Sequence, residues 1–474
     1  MNLKEKVFNS SIWFGFSKIV SSFTSLILNI FLARILVPKD FGVFAIVTLS
    51  IGFISIISNI GFGDSLIQKE KTNSSQMSSL FWINIFTSFL TTVLIYSLAY
   101  PISHYYGNPD LAILIKIMSI EVIISSFFIF HKKMLQKEID FKTLSIIDMF
   151  LNIFGVSFSI IAAFNGAGIY SLICFPLSKA IMSVFVFPFF YNWKPELILE
   201  FHDISDHIVY SLKTKLSYVF IYIERNLDTF ILSSFFSEKI LGYYSLSFSL
   251  IYLPVKKISH TLTHILFPTF SLIKNDYQKI KQWYLSTFKI LSIITFPLCS
   301  FFFSYSNEII VLIFSEKWIP ASDILRALSF IGAMQSINII NTPLLNAVGK
   351  PELNIYFGIF KSIFLSISLL IASRYGIIIF CYVVLINKVI NFFIITLINK
   401  RLFNINYYEL FLSIIGSIIF STLIYVSSVF KSIYVVYNLP ITSALIIIFG
   451  LSILYKFHDQ DFQKIFELIK KNNK

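Results

Sequence analysis

The sequence has little charge for its length and few cysteines. Charged residues make up 13% of its 474 positions, and the net charge is +13. A soluble chain of this size needs roughly 25% charged residues to cover its surface, so a soluble enzyme and a nucleic-acid-binding protein are excluded. The three cysteines (Cys174, Cys299 and Cys381) all lie in apolar blocks. They exclude a disulfide scaffold and are interpreted as small core residues.

What the chain has instead is long apolar runs. Hydrophobic residues make up 56% of it, with 54 phenylalanines. About 20 apolar residues in a helix span the bilayer core of about 30 Å. We therefore predict an all-α, polytopic membrane protein with 14 transmembrane helices. Their cores are 9–33, 43–63, 79–100, 111–130, 145–164, 169–190, 208–235, 241–265, 285–305, 324–346, 354–373, 376–398, 409–429 and 433–455.

The positive charges alternate with these blocks. Lysine and arginine concentrate before the first block, in every second connection and after residue 456, whereas the connections around 106–108 and 165–168 have none. Because lysine and arginine are retained on the cytoplasmic side, both chain ends are predicted to be cytoplasmic.

An internal repeat indicates two similar halves. The segment LARILVPKDFGVFA at 32–45 is followed 200 residues later by LSSFFSEKILGYYS at 232–245. Each segment predicts the end of a span, a tight outer turn and a glycine at which the turn approaches a helix closely. A second repeated feature is an aspartate at the start of a span, Asp110 in the first half and Asp323 in the second, and each is predicted to cap a helix N-terminus.

We predict two six-helix lobes in a pseudo-twofold relation around a central cavity, plus two C-terminal helices. The predicted divisions are an N-terminal lobe at 1–192, a cytoplasmic linker at 193–207, a C-terminal lobe at 208–400, spans 13 and 14 at 401–456, and a cytoplasmic amphipathic tail at 457–474. Whether that tail lies on the membrane surface or is solvated stays open.

Charged residues inside the apolar blocks are the candidate site, because a charge at bilayer depth is costly and must face a cavity or a partner. The excess of cations among them indicates an anionic substrate, with the pyrophosphate group as a fitting example. The predicted substrate-binding residues are Lys18, Lys179, Arg225, Lys256 and Lys257. The predicted ion-coupling or ion-pairing residues are Glu121, Glu224 and Asp228.

Each assignment has an alternative. Arg225 and Asp228 are three residues apart and could form an ion pair that only stabilises the bundle. Lys18, or one of the adjacent pair Lys256 and Lys257 that follows Pro254, could instead reach an interface with its ammonium group.

No pattern points to a metal, a cofactor or an enzyme. His260 and His264 share a helix face, but no third ligand is near them in sequence, so we interpret them as interfacial. There is no glycine-rich phosphate loop followed by lysine and serine or threonine, so no bound ATP is expected. The short outer loops leave little room for the site of a membrane glycosyltransferase or polymerase.

Several segments resemble a known family. The matching segments are FLARILVPKDFGVFA (31–45), GFGDSLIQ (61–68), LQKEIDFK (135–142), LFPTFS (266–271), WIPA (318–321) and LNAVGK (345–350). In this order they resemble polysaccharide exporters of the Wzx, or colanic-acid-exporter, type, from about residue 10 to 400. That family belongs to the multidrug/oligosaccharidyl-lipid/polysaccharide exporter superfamily.

The resemblance implies a flippase rather than an enzyme. It would move an undecaprenyl-pyrophosphate-linked oligosaccharide of an O-antigen, capsule or exopolysaccharide from the inner to the outer leaflet of the bacterial inner membrane by alternating access. It would function as a monomer, with a polymerase and chain-length machinery as expected partners. The alternatives are an ion-coupled drug or metabolite antiporter of the same superfamily, a membrane glycan polymerase, and a purely structural subunit.

Overall fold

The computed structural model describes residues 3–58, 66, 73–198 and 205–429, and within them residues 3–12, 205–210, 253–265 and a few flanking positions by their backbone alone. The regular structure of these ranges is helical. The α-helices are α1 (Leu3–Ile35), α2 (Pro38–Ser58), α3 (Ser74–Tyr106), α4 (Asp110–Lys137), α5 (Phe141–Phe164), α6 (Tyr170–Phe190), α7 (Ser205–Phe235), α8 (Glu238–Leu272), α9 (Tyr277–Ser304), α10 (Ser306–Ile313), α11 (Ala321–Asn338), α12 (Asn341–Ala347), α13 (Pro351–Ala372), α14 (Ile377–Phe403) and α15 (Tyr407–Val429).

Ten of the described helices are long and apolar enough to cross a membrane: α1 to α6, α9, and α13 to α15. The all-α class is therefore confirmed, and the chain is a multi-pass membrane protein. Helices α7, α8 and α11 lie on predicted spans but are not among the ten. The fourteenth block and the predicted tail lie outside the described residues, so the number of 14 spans stays a prediction.

Local signals set several helix ends. Asn73 and Gln76 form a capping box at the start of α3, in which the Gln76 side chain accepts from the Asn73 amide at 3.2 Å. The Asp140 carboxylate accepts the Thr143 amide at 3.1 Å and caps α5. Helix α3 ends at Tyr106 and is followed by Gly107, whose φ of 64° is a left-handed conformation that glycine adopts without steric cost.

The prediction that Asp110 and Asp323 cap their helices is wrong. The cap positions are taken by Pro109 and Pro320, and both aspartates lie inside the first turn. Proline fixes φ near −65°, a value that already suits the start of a helix, so each helix begins directly after its proline. Asp323 instead forms an ion pair with Arg326, with 3.6 Å between Oδ1 and the guanidinium.

The tenth predicted block is broken into two helices. Helix α11 ends at Asn338 and α12 begins at Asn341. Pro343 explains the break, because proline has no amide proton and its ring clashes with the carbonyl four residues earlier, here that of Ile339. Pro343 therefore favours a break in the predicted span 324–346.

The chain divides into two compact units, Met1–Leu246 and Ser247–Lys474. In the first unit α1 packs on α5, α5 and α4 pack on α6, α3 packs on α4, and α2 packs on α7. In the second unit α9 packs on α15 and α11, and α14 packs on α11 and α13.

A buried polar network lies in the core of the second unit. The Tyr284 hydroxyl of α9 donates to Asn341 Oδ1 at 3.1 Å and accepts from Asn399 Nδ2 at 3.2 Å. Asn399 of α14 also donates to Asn341 at 2.7 Å. Together these groups join α9, α12 and α14 where α11 and α12 are separated.

The start of the predicted linker packs on the first unit. Trp193 stacks on Phe130, with 6.4 Å between ring centroids, and its carbonyl lies 3.1 Å from His131 Nε2. The Trp82 indole donates to the carbonyl of Glu196 at 2.9 Å. Residues 191–198 are therefore fixed against α3 and α4 as they leave α6.

Candidate substrate-binding site

Lys179 is held in the first unit by neutral polar groups. It lies in the middle of α6, and its Nζ donates to Asn152 Oδ1 of α5 at 2.7 Å. Asn152 is buried and donates in turn to the Ser21 hydroxyl of α1 at 2.7 Å. In the described part of the chain no carboxylate lies within ion-pair distance of the ammonium group, so no direct ion pair neutralises Lys179.

Two other predicted residues lie close enough to act on this charge. Lys18 of α1 and Glu121 of α4 both contribute to the electrostatic environment of Lys179. Lys18 is exposed, and its ammonium group lies 5.0 Å from the centroid of the Phe14 ring. Glu121 is half-buried, and its Oε1 accepts from the Ser125 hydroxyl at 2.7 Å. The structure therefore brings together the three predicted charged residues of the first six helices.

Sequence reasoning missed an ion pair in the same group. Lys132 Nζ of α4 and Asp148 Oδ1 of α5 are 3.0 Å apart, with 26% and 13% of their side chains exposed, and both charges act on Lys179. Lys132 follows the predicted span core 111–130, so the charge pattern places it in a lysine-rich connection. Asp148, near the start of a predicted span, is the signal that could have revealed the pair.

Arg225 and Asp228 of α7 do not form the ion pair that was the alternative to a binding role. Asp228 accepts from the Tyr244 hydroxyl of α8 at 2.5 Å and from the Thr229 amide at 2.8 Å. Arg225 is exposed, and within the described ranges it forms no ion pair with Asp228. Glu224 is half-buried. The stabilising pair between Arg225 and Asp228 is thus absent from this structure, and Arg225 is left accessible.

The other two predicted cations are not located. Helix α8 continues through Pro254, but the side chains of Lys256 and Lys257 lie outside those the structure describes, as do those of His260 and His264. Their part in the site therefore stays a prediction.

The two repeated turns meet within the first unit. Helix α1 ends at Ile35 and α2 begins at Pro38, and 200 residues later α7 ends at Phe235 and α8 begins at Glu238. A Cβ atom on Gly42 would overlap the Glu238 carbonyl, and one on Gly242 would overlap the Pro38 carbonyl. Each glycine thus allows the first turn of the other helix to approach, as the repeat predicted.

Side-chain contacts also join the two repeated turns and the helices next to them. The Glu238 carboxylate accepts from Asn108 Nδ2 at 2.5 Å and lies 3.6 Å from Lys39 Nζ. The Tyr106 and Ser233 hydroxyl groups are 2.9 Å apart, and Tyr222 of α7 donates to the Leu49 carbonyl of α2 at 2.8 Å. Polar contacts therefore join these helices. The contact of Tyr222 with Leu49 lies in the middle of α7 and α2, and the others lie at the ends that the charge pattern assigns to the outer side.

The charges near Lys179 sum to a positive value. Lys132 and Asp148 neutralise each other, which leaves Lys18, Lys179 and one carboxylate, Glu121. Ser21 and Asn152, which are hydrogen-bonded to each other, and Ser125, which is hydrogen-bonded to Glu121, add hydroxyl and amide groups. Such an arrangement can bind an anion that also carries hydroxyl groups. In the described residues no group of three histidine, cysteine or acidic side chains could hold a metal ion.

Comparison with known proteins confirms the resemblance found in the sequence. Residues 31–323 match the family described as "Polysaccharide biosynthesis protein". The chain is 29% identical over 347 residues to the teichuronic acid biosynthesis protein TuaB of Bacillus subtilis, covering 72% of this chain and 71% of that protein. It is 23% identical over 402 residues to the lipopolysaccharide biosynthesis protein WzxC of Escherichia coli, covering 83% and 82%.

Two solved structures share the fold. The lipid II flippase MurJ in an inward closed conformation matches with a TM-score of 0.73 at 15% identity, covering 97% of this chain and 100% of that one. An inward-facing multidrug resistance transporter of the MATE family, which is part of the MOP superfamily, matches with a TM-score of 0.61 at 14% identity, covering 80% of this chain and 96% of that one.

Proposed function

This chain belongs to the family of polysaccharide biosynthesis proteins, and from that premise we infer that it flips a lipid-linked oligosaccharide from the inner to the outer leaflet of the bacterial inner membrane. The relatives TuaB and WzxC are named for the biosynthesis of surface polysaccharides, and MurJ, which has the same fold, is named as a lipid flippase. The activity is that of a carrier and not of an enzyme.

The observation that carries the proposal is the neutral partner of Lys179. An ammonium group bound to an amide oxygen keeps a net charge, and it attracts an anion in a medium of low dielectric constant far more than it would in water. A pyrophosphate linked to undecaprenol supplies that anion, and Lys18 supplies a second positive charge. Ser21, Asn152 and Ser125 supply hydrogen-bonding groups for phosphate oxygens or sugar hydroxyls.

The remaining predicted residues complete the proposal. Arg225, which is accessible, and Lys256 or Lys257 would contact the same phosphate groups from α7 and α8. Glu121, Glu224 and Asp228 would change their charge state during the cycle and so couple it to an ion gradient. The two lobes, with 14 spans and cytoplasmic chain ends, would open a central cavity alternately to each side. The carrier would function as a monomer and deliver its product to a polymerase.

The competing function is a drug or metabolite antiporter. A carrier of cationic drugs needs a site in which carboxylates dominate. Near Lys179 the described charges favour an anion instead, since Asp148 is already paired with Lys132 and the remaining carboxylate, Glu121, is outnumbered by Lys18 and Lys179.

The test uses the native host with the gene deleted. We expect lipid-linked oligosaccharide to accumulate on the inner leaflet and surface polysaccharide to be lost, with wild-type drug susceptibility. Normal surface polysaccharide together with drug hypersensitivity would show that the chain is an antiporter.

Three variants expressed in the deletion strain then test the site. Lys179→Gln removes the charge, and Asn152→Asp neutralises it while leaving the lysine in place. Each should lower export about tenfold or more, because a hydrogen bond to a charged group contributes about 1.5–3 kcal/mol. Lys194→Gln, at an exposed lysine, is the control and should export normally. Normal export by the first two variants, at equal protein levels in the membrane, would remove Lys179 from the site.

A further inference from the structure

A polar pocket lies in the second unit, away from the residues discussed so far. Its volume is about 270 Å³, and it is formed where the turn between α8 and α9, the turn between α12 and α13, and the end of α14 meet. Lys274, Asn275, Tyr277 and Lys350 contribute polar groups, and Leu402 and Phe403 contribute apolar ones.

The pocket is built by defined local structure. Gly349 has a φ of 75°, a left-handed turn conformation, and the Lys350 amide then donates to the Leu345 carbonyl at 2.9 Å. On the other side, Asp276 caps α9 by accepting the Lys279 amide at 3.0 Å. The Tyr277 ring lies 6.0 Å from that of Phe403, which is buried with 4% exposure. The pocket therefore has a fixed apolar floor beneath a polar rim.

The charges of the rim are not neutralised. Asp276, the acid nearest in sequence, is paired with Lys279 at 3.0 Å, and Glu409 of α15 is paired with Lys281 at 2.7 Å. In the described part of the chain Lys274 and Lys350 form no ion pair. Glu352, two residues after Lys350, is exposed and does not line the pocket. Two positive charges thus face one cavity without a matching anion.

We propose that this pocket binds the phosphate headgroup of an anionic membrane phospholipid at the cytoplasmic surface. Two ammonium groups suit a phosphate, the amide of Asn275 can donate to a phosphate oxygen, and Leu402 and Phe403 can contact the glycerol and the first methylene groups. Lys274 and Lys350 belong to the lysine-rich connections that the charge pattern places on the cytoplasmic side, where anionic lipids are reached. The proposal does not depend on the transported substrate.

The experiment compares the lipids retained by the purified full-length protein. The protein is reconstituted in nanodiscs of equal parts phosphatidylglycerol and phosphatidylethanolamine, and the lipids still bound after delipidation are counted by native mass spectrometry. The wild type should retain phosphatidylglycerol preferentially. Lys274→Gln/Lys350→Gln should reduce that preference about fivefold or more, because both positive charges of the rim are lost.

Matched controls make the result decisive. Lys400→Gln removes an exposed charge in the last turn of α14, on the same side but not in the pocket, and should leave the preference unchanged. Lys274→Arg/Lys350→Arg should retain it. An equal loss in Lys400→Gln and the double glutamine variant would overturn the proposal, since the effect would then be one of net charge. Displacement of phosphatidylglycerol by millimolar inorganic phosphate or pyrophosphate would show that the pocket takes a free phosphate, and this too would overturn it.

Discussion

Substitution of Gly42 by alanine tests the meeting of the two repeated turns. A Cβ atom at this position would overlap the Glu238 carbonyl oxygen and lie 2.6 Å from its carbon and 3.1 Å from its Cα. These are backbone atoms, so no side-chain rotation relieves the overlap. To bring the Glu238 carbon alone to an ordinary separation of about 3.5 Å, the start of α8 must retreat by about 0.9 Å, and the nearer carbonyl oxygen requires a larger retreat.

The energetic cost follows from this displacement. Overpacking a tight contact costs about 1–3 kcal/mol, and here the retreat also lengthens the Asn108–Glu238 hydrogen bond of 2.5 Å. The higher helix propensity of alanine offsets at most about 1 kcal/mol. We therefore expect Gly42→Ala to be destabilised by about 1–3 kcal/mol.

The assay is thermal unfolding of the purified protein in detergent. Gly358→Ala, in the middle of α13, is the control because nothing lies within 4 Å of the added atom. It should unfold at the wild-type temperature or slightly above, and Gly42→Ala several degrees below. Gly242→Ala should behave like Gly42→Ala. The double variant should lose less stability than the two single variants together, since each of them disrupts the same contact between the two turns. Equal midpoints for Gly42→Ala and Gly358→Ala would refute the close approach.

Two further predictions concern polar contacts within each unit. Lys132→Ala and Asp148→Ala should each destabilise the protein by on the order of 2 kcal/mol, a value between those for exposed and buried ion pairs. The double variant should lose less stability than the two single variants together, because each of them already breaks the ion pair. Additive losses of stability in thermal unfolding would contradict the pairing. Tyr284→Phe should cost about 1 kcal/mol, because the hydroxyl that joins Asn341 and Asn399 is lost, whereas Tyr277→Phe, at an exposed ring, should be neutral. An unchanged midpoint for Tyr284→Phe would show that the network adds nothing.

Ten of the predicted spans coincide with helices long and apolar enough to cross a membrane, because the bilayer imposes one length and one composition on them. The repeated turns could be predicted because glycine is required where two backbones approach, and Gly42 and Gly242 occupy the same place in both segments. The break between α11 and α12 was missed although Pro343 signals it, because hydropathy does not register a proline inside an apolar run.

The sequence indicates which charged residues belong to the candidate site, but not which side chains they contact. The spacing of Arg225 and Asp228 permits an ion pair, yet Tyr244, from the next helix, binds Asp228 instead. A sequence shows contacts within one helix, whereas this choice is made by packing between helices. The same reason hid the pairing of Lys132 with Asp148 and the role of Asn152, a neutral residue that gives no signal in a search for charge.

The partner of each intramembrane lysine separates a structural role from a binding role. Lys132 is paired with Asp148, so its charge is cancelled and the pair adds little field outside its immediate surroundings. Lys179 is bound to an amide oxygen, which orients the ammonium group without cancelling its charge. Burying an uncancelled charge costs stability, and among the described residues the ammonium group donates one hydrogen bond, to Asn152, which leaves two protons for other acceptors. That cost is explained if a bound anion completes the site for part of the cycle, and this distinction favours Lys179 over Lys132 as the residue that meets the substrate.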